Sequence, residues 1–320
     1  MNMEKYITSQ HKYYTLDYYL RNRFKKKVFK VALNGNFTCP NRDGTISHSG
    51  CIFCSEKGSG DFAGKPNDSL KHQFEMVKNI IHEKWSDALY IAYFQANTNT
   101  YGPIEKLKAL YEEAISLDQN IVALSIATRP DTLPQDVVDY LGELNKKIPV
   151  WVELGLQTIN EETAALINRG YRLDVATDAI KRLREKGIEV IIHIINGLPY
   201  ETDIDMYNTI NYLNNQNIQG IKIHSLFVLK GTILARMYEN KEFQMMSEED
   251  YIRVTSTQIA MLKPNVVIHR ISGDAPKELL IAPLWSEKKL ALMNEIDKYM
   301  KDNNLYQGSL YKEKEETILK

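Results

Sequence analysis

Cys39, Cys51 and Cys54 are the only three cysteines in this chain of 320 residues. An odd number crowded into one loop does not make a disulfide framework, which spreads an even number along a secreted chain. Clustered thiols in a reducing compartment bind metal or carry redox chemistry. The loop reads Cys39-Pro-Asn-Arg-Asp-Gly-Thr-Ile-Ser-His-Ser-Gly-Cys51-Ile-Phe-Cys54. Soft thiolates suit an iron–sulfur cluster or zinc. Four thiolates would close a cubane cluster, whereas three leave one iron open to a further ligand. Asp43, Gly44 and Gly50 let the intervening chain turn sharply enough to wrap such a group. His48 lies in the same loop, so a Cys₃His zinc site is the rival reading.

The elements around this loop alternate. Strand-type apolar runs are read at 28–33, 89–96, 122–128, 150–157, 189–195, 221–227 and 266–271. Helical patterns fall between them, at 69–85, 103–117, 133–146, 160–168, 173–186, 202–216 and 247–262. Pro103 at a first helical position, Ser247 with Asp250 as a capping box, and Gly187 as a C-terminal stop support three of these. Strand–helix alternation gives a parallel sheet with right-handed crossovers. The expected fold is α/β, a partial (β/α)6-type TIM barrel. It would occupy residues 30–275, with an N-terminal extension over 1–29 and a helical C-terminal extension over 276–320. The cysteine loop then follows the first strand and opens at the C-terminal mouth, where barrel active sites lie.

The strands carry a second message. Side chains alternate faces along a strand. In the run 150–157, one parity is aliphatic and the other is Trp151, Glu153, Gly155 and Gln157. In the run 221–226, Lys222 and His224 alternate with Ile221 and Ile223. Ala123, Ser125, Ala127 and Arg129 share a parity in the third run. The polar parity faces the barrel interior, where such groups must be satisfied or used. Glu153 and Gln157 have a plain alternative as a satisfied polar layer. His193, His224 and His269 lie on strands, where a structural hydrogen-bonding role is the commoner one. Trp85, Trp151 and Trp285 read as packing residues.

The formal net charge of −1 supplies no whole-molecule field toward nucleic acid or membrane. No apolar run has the length of a membrane span, and the first residues have no signal-peptide pattern, so a cytoplasmic location with no membrane partner is expected. One local patch stands out: Tyr13, Tyr14, Tyr18 and Tyr19, followed by the bases from Arg21 to Lys30. Bases with aromatics meet RNA through phosphates and stacking. A solvated helix with a tyrosine core face is the commoner outcome of such a run.

The chain resembles the radical S-adenosylmethionine (SAM) superfamily, and within it the Elp3-related, YhcC/YtqA-like family. The segments that carry the resemblance run in order through nearly the whole chain: Phe37 to Gly44, Tyr93 to Tyr101, Thr128 to Asp131, Glu153 to Thr158, Asn168 to Gly170, Asn196 to Pro199 and Gly273 to Pro276. Phe53 fills the aromatic position before the last cysteine. The eleven residues between Cys39 and Cys51 exceed the three usual in the superfamily, a departure shared with the Elp3-type branch. The resemblance implies a [4Fe–4S] cluster on Cys39, Cys51 and Cys54 that reductively cleaves SAM to methionine and a 5′-deoxyadenosyl radical. By position it places Gln95 and Asn97 at the methionine amino group, although the glycine pair usual there is missing. Glu153 or Gln157 would reach the ribose, Arg169 the SAM carboxylate, and Phe53 with the backbone of Asn196, Gly197 and Leu198 the adenine. Arg169 has a plainer reading as a cap on its short helix.

Elp3-type relatives work on wobble uridines of tRNA, and the YhcC/YtqA-like family resembles the group that contains the MnmL-type enzyme. The implied reaction trims a carboxymethylaminomethyl group on uridine-34 of tRNA to aminomethyl. Arg129, Lys222 and His224 are the candidates to act on the substrate, Arg129 or Lys222 by holding its carboxylate. A flavodoxin or ferredoxin-type reductant and a downstream methyltransferase are the implied partners. Radical chemistry on a small metabolite and a non-catalytic zinc-bearing RNA-binding module are the alternatives.

Overall fold

The aliphatic parity of each strand run packs outward against helices, and a computed structural model gives the sheet that this builds. Residues 7–8, 11–58 and 60–313 are described. The strands are β1 (Val28–Leu33), β2 (Leu89–Phe94), β3 (Ile121–Thr128), β4 (Val150–Gln157), β5 (Glu189–Asn196), β6 (Gly220–Ser225), β7 (Val228–Leu229), β8 (Val267–Arg270) and β9 (Leu280–Ala282). The helices are α1 (Leu16–Phe24), α2 (Leu70–His82), α3 (Ile104–Ser116), α4 (Gln135–Lys147), α5 (Glu161–Leu166), α6 (Leu173–Glu185), α7 (Asp203–Asn214), α8 (Ile233–Glu239), α9 (Glu248–Met261) and α10 (Lys289–Asp302).

Seven strands form one parallel sheet in the order β1-β2-β3-β4-β5-β6-β8, which curls into a partial TIM barrel as expected. The order is sequential because each right-handed crossover lays the next strand beside the last. Val150, Val152, Leu154 and Leu156 join the large outer core, while Trp151 on the opposite parity joins a separate inner cluster. Ser247 caps α9 as read, its Oγ accepting from the Asp250 N–H at 3.0 Å. Pro103 occupies the cap of α3 rather than its first helical position.

Much of the N-terminal run is engaged within the protein, while Lys25 and Lys26 stay exposed. Helix α1 plugs the barrel from below: Leu20 packs with Val28, Ile91, Ala123, Trp151 and Ile191, all inward-facing near the strand starts. The Tyr19 ring lies over Trp151 and its hydroxyl donates to Glu189 at 3.0 Å, while Tyr13 is buried. Arg23 pairs with Glu189, Arg21 and Lys27 share Asp17, and Lys30 turns into the lumen to meet Glu153. Apolar burial decided this placement, because the tyrosine face had a hydrophobic barrel end to cover.

The segment after residue 275 packs onto the barrel. Strand β9 pairs antiparallel with β7, and α10 contacts α9. Gln307 accepts from the Tyr14 N–H at 2.8 Å and donates to the carbonyls of Lys263 and Val266, tying both terminal segments to the β8 side. Neither the β7/β9 pair nor α8 is legible as an element in the sequence. Among the described residues no helix is long and apolar enough to cross a membrane.

Candidate active site

The loop after β1 carries the cysteines, and its shape is fixed by polar side chains that wrap it. Buried Asn41 donates to the Asn168 carbonyl at 2.5 Å and toward Cys51 Sγ at 3.5 Å. Asn168 Nδ2 reaches the Gly50 carbonyl at 2.7 Å, joining the cysteine loop to the turn after α5. Arg42 donates to the carbonyls of Cys54, Ser55 and Glu56. Sequence reasoning does not single out Arg42 or Asn41. Only their place between the first two cysteines could have signalled them.

All three cysteines line one cavity at the C-terminal mouth, together with Arg129, Gln95, Asn97, Phe53, Gln157 and Arg169. The cavity continues downward to Tyr93, Glu153, His193, Lys222, His224 and Arg270. The surroundings of the sulfurs favour thiolate at Cys51: a hydrogen bond from Cys54 lowers its pKa, and Arg129, Asn41 and Arg42 act in the same direction. Cys54, which donates that bond and is buried, is pushed up. His48 does not turn to the cysteines. It is exposed, and its ring covers Gly44 so closely that a Cβ there would lie 2.3 Å from it. Among the described residues no group of three or more His, Cys, Asp or Glu converges on a single-ion site. The donor set is three soft sulfurs lining one cavity, with His48 turned away from them, which fits a cubane cluster with one iron left for a further ligand.

Below the cysteines, Glu153 is the hub of the lumen. It is 1% exposed, and its carboxylate takes four donors. Oε1 accepts from Lys30 and from Ser125 Oγ at 2.7 Å; Oε2 accepts from Lys222 and meets His193 Nε2 at 2.8 Å. Four donors saturate a carboxylate. Burial alone would raise its pKa, but Lys222 and Lys30 hold it well below the usual carboxylate range. Burial also pushes Lys222 down to about 7 and His193 down to about 4.

A family model described as the Radical SAM superfamily matches residues 39–213, more than half of the chain. The chain belongs to that superfamily. A second model, the Radical_SAM C-terminal domain, matches residues 218–302. Among relatives, the Bacillus subtilis (strain 168) protein YtqA is 49% identical over 97% of this chain and 96% of its own length. The tRNA uridine(34) acetyltransferase of Methanocaldococcus infernus is 30% identical over 58% of this chain but only 34% of its own length. The solved structure of Methanocaldococcus infernus Elp3 with an N-terminal deletion gives a TM-score of 0.64 at 21% identity, covering 88% of this chain and 64% of that one. The chain thus sits in the Elp3-related part of the superfamily, whose cofactors are a [4Fe–4S] cluster and SAM.

The radical SAM site residues read from sequence fall into three groups. Cys39, Cys51, Cys54, Phe53, Gln95, Asn97, Gln157, Arg129, Lys222 and His224 all line the cavity. Asn97 and Gln157 adopt the left-handed backbone, φ 60° and 64°, which turns each strand end into its loop. Glu153 and Arg169 line it too but are already occupied. Arg169 is 1% exposed and donates to the carbonyls of Tyr171, Leu156 and Thr158 and to Glu161, leaving one of its five N–H donors. Arg129 is similarly held, with both Asp131 oxygens accepting from its guanidinium at 2.9 and 2.7 Å and Tyr171 beneath it.

The third group stays outside the cavity. Asn196 is buried and exchanges hydrogen bonds with Gln258 and Thr255 on α9, Gly197 faces Met246, and Leu198 sits in an apolar cluster with Ile52 and Leu226. Two lining residues escape sequence reasoning, Tyr171 and Arg270. A tyrosine two residues beyond Arg169 and an arginine ending the last strand offer no chemical spacing to find them by.

Proposed function

We propose that this protein cleaves SAM reductively at a [4Fe–4S] cluster held by Cys39, Cys51 and Cys54, and uses the radical to modify the wobble uridine of tRNA. The observation that carries the reading is a single cavity lined both by all three thiols and by the polar groups of the lumen floor. When bound, the cluster and SAM supply an organic radical able to take a hydrogen atom from an unactivated carbon. The chain's own residues hold and shield that chemistry. Asn41, Arg42 and Arg129 place N–H donors and positive charge around the sulfurs. Gln95 and Asn97 at the end of β2 and Gln157 at the end of β4 are the lining groups suited to the polar atoms of SAM, with Phe53 toward its base. Arg169 has one N–H left for a carboxylate.

The tRNA reading draws on the relative whose name assigns it to tRNA uridine(34), with the target base extruded into the cavity as enzymes acting on a base require. The reaction in view removes the carboxymethyl part of a carboxymethylaminomethyl side chain. The radical would take a hydrogen atom from the carbon between the amine and the carboxylate, and one further electron would pass back to the oxidised cluster to leave an imine. Water would hydrolyse that bond to glyoxylate and the aminomethyl product, which is left for a separate methyltransferase. A flavodoxin or ferredoxin-type protein is the reductant in this reading.

The test is reductive cleavage by anaerobically purified holoprotein with dithionite, first alone and then with bulk tRNA from cells lacking the gene. 5′-Deoxyadenosine should form, and tRNA should raise its yield while aminomethyluridine appears. Absence of 5′-deoxyadenosine with an intact cluster would remove the enzyme reading, and unchanged wobble uridines would remove the tRNA reading.

A further inference from the structure

The lumen floor gathers more basic side chains than carboxylates: Lys222, Arg270, His193 and His224 line it beside Glu153. Lys30 and Lys222 both converge on Glu153, and Lys222 is only 6% exposed. An ammonium at this depth is disfavoured unless an anion pairs with it, and Glu153 is shared with Lys30, so a second anion in the cavity would stabilise the charged form of Lys222. Lys222 donates to Glu153 and to the Tyr93 hydroxyl at 3.2 Å, which leaves one of its three ammonium protons for the cavity. His224 stands beside it on the same face of β6, its ring 5.5 Å from that of His193. Its Nε2 is buried and meets no partner among the described residues. The ring is held close by the chain after β8: a Cβ on Gly273 would lie 2.9 Å from His224 Nδ1. Arg270 ends β8 on the same cavity and among the described residues pairs with Asp274 at 3.4 Å, a carboxylate that Lys289 also engages at 2.8 Å.

We propose that Lys222, Arg270 and the Nε2–H of His224 form a carboxylate-binding subsite on the lumen floor that receives the anionic end of the substrate. The inference rests on the tRNA reading above and names which atoms recognise the side chain to be trimmed. It also chooses among the candidate carboxylate holders. Arg129 has its fork on Asp131 and its face on Tyr171 beside the cysteines, whereas further down Lys222 has an unused ammonium proton and His224 an unpartnered ring nitrogen. Glu153 is a positioning residue here: it aims Lys222 at the cavity and cannot itself accept a hydroxyl without releasing one of four donors.

The experiment measures anaerobic binding of one tRNA species to SAM-loaded holoenzyme, with uridine-34 either unmodified or carrying the carboxymethylaminomethyl group. Wild-type protein should prefer the carboxylate-bearing tRNA by roughly tenfold or more, the value of one charged hydrogen bond. Lys222→Met and Arg270→Gln should each bring that preference below about threefold, and His224→Gln should weaken it less. Arg270 is 36% exposed on its side chain, so its variant keeps the test open should Lys222→Met fail to fold. Variants that keep the full preference overturn the subsite. So does a parallel loss of SAM affinity, which would assign the anion to the methionine carboxylate. Equal wild-type binding of the two tRNAs overturns the subsite alone, while binding of neither removes the tRNA reading together with it.

Discussion

The two ends of the barrel interior are built by the same strands yet have opposite chemistry. At the bottom, Trp151 of β4 packs with Ile91, Ala123 and Ile191 directly above the α1 plug. Two residues further along the same parity, Glu153 gathers Lys30, Lys222 and His193, and Gln157 then reaches the cysteine mouth. A step of two residues advances a strand by about 6.6 Å while keeping the same face. Depth in the barrel, set by position along one parity, therefore decides whether an inward side chain fills space or meets a ligand. The plug is the condition for this division. With water excluded from below, the charges on the floor interact at low dielectric and only the mouth exchanges with solvent.

The sharpest way to break the contrast is at the mouth. Cys51→Ala should abolish iron and sulfide binding and bring 5′-deoxyadenosine formation below detection. Secondary structure by circular dichroism should stay intact, because the loop is also held by Asn41, Asn168 and Arg42. Retained cluster absorbance in that variant would contradict the ligand assignment. Trp151→Ala at the other end should do the reverse, costing about 3–5 kcal/mol of stability through the cavity it leaves. Protein that survives the substitution should keep its cluster, and urea unfolding with iron analysis separates the two effects.

An intermediate effect belongs to the floor. Glu153→Gln removes the anion between two buried ammonium groups and should cost about 3–5 kcal/mol at neutral pH. The pH dependence has a fixed sign. The Glu153 pKa is lowered in the fold, so its contribution is present above the ordinary value of 4.5 and is lost as pH falls through the folded value far beneath it. His193, pushed from 6.5 to about 4, is neutral in the fold while the unfolded chain takes up a proton, so stability also falls as pH drops from 6.5 toward 4. Acid titration followed by tryptophan fluorescence should show the loss between pH 6.5 and 4 flattened in His193→Gln. An unchanged profile in that variant would mean that His193 is charged in the fold.

Much of this division is legible in the sequence. Strand parity alone decides which residues face inward, and it puts Trp151, Glu153, Lys222 and His224 on the correct side. The thiol spacing locates the mouth. What parity cannot show is which neighbour an inward group meets, because that depends on register between strands. Ser125 pairs with Trp151, and Ala127 with Glu153, across β3 and β4, and no single strand carries this information. The same limit explains Glu153 and Arg169, whose residue types suit a ligand but whose partners lie within the protein. Asn196, expected to meet the adenine through its backbone, has its side chain committed elsewhere. It ends β5 on the parity opposite His193, so its amide points to Gln258 on α9 and away from the cavity. Tyr171 reaches the site through the turn after α5, and Arg270 through the register of β8 beside Lys222, neither of which a local pattern encodes.

The smallest effect tests the plug against its alternative as an RNA arm. Arg21 and Lys27 share Asp17 on the outer side of α1, with about half of the Arg21 and Asp17 side chains exposed. Exposed pairs of this kind contribute about 0.2–1 kcal/mol, so the double variant Arg21→Gln with Lys27→Gln should lower the unfolding midpoint only slightly. Its tRNA affinity should match the wild type at every salt concentration, because these charges are paired within the protein at the end of the barrel opposite the mouth. Each phosphate contact contributes nearly one unit to the slope of log affinity against log salt. A slope shallower by about two in the double variant would show that both residues meet the backbone of the RNA, and α1 would then have to act as a binding arm as well as a seal.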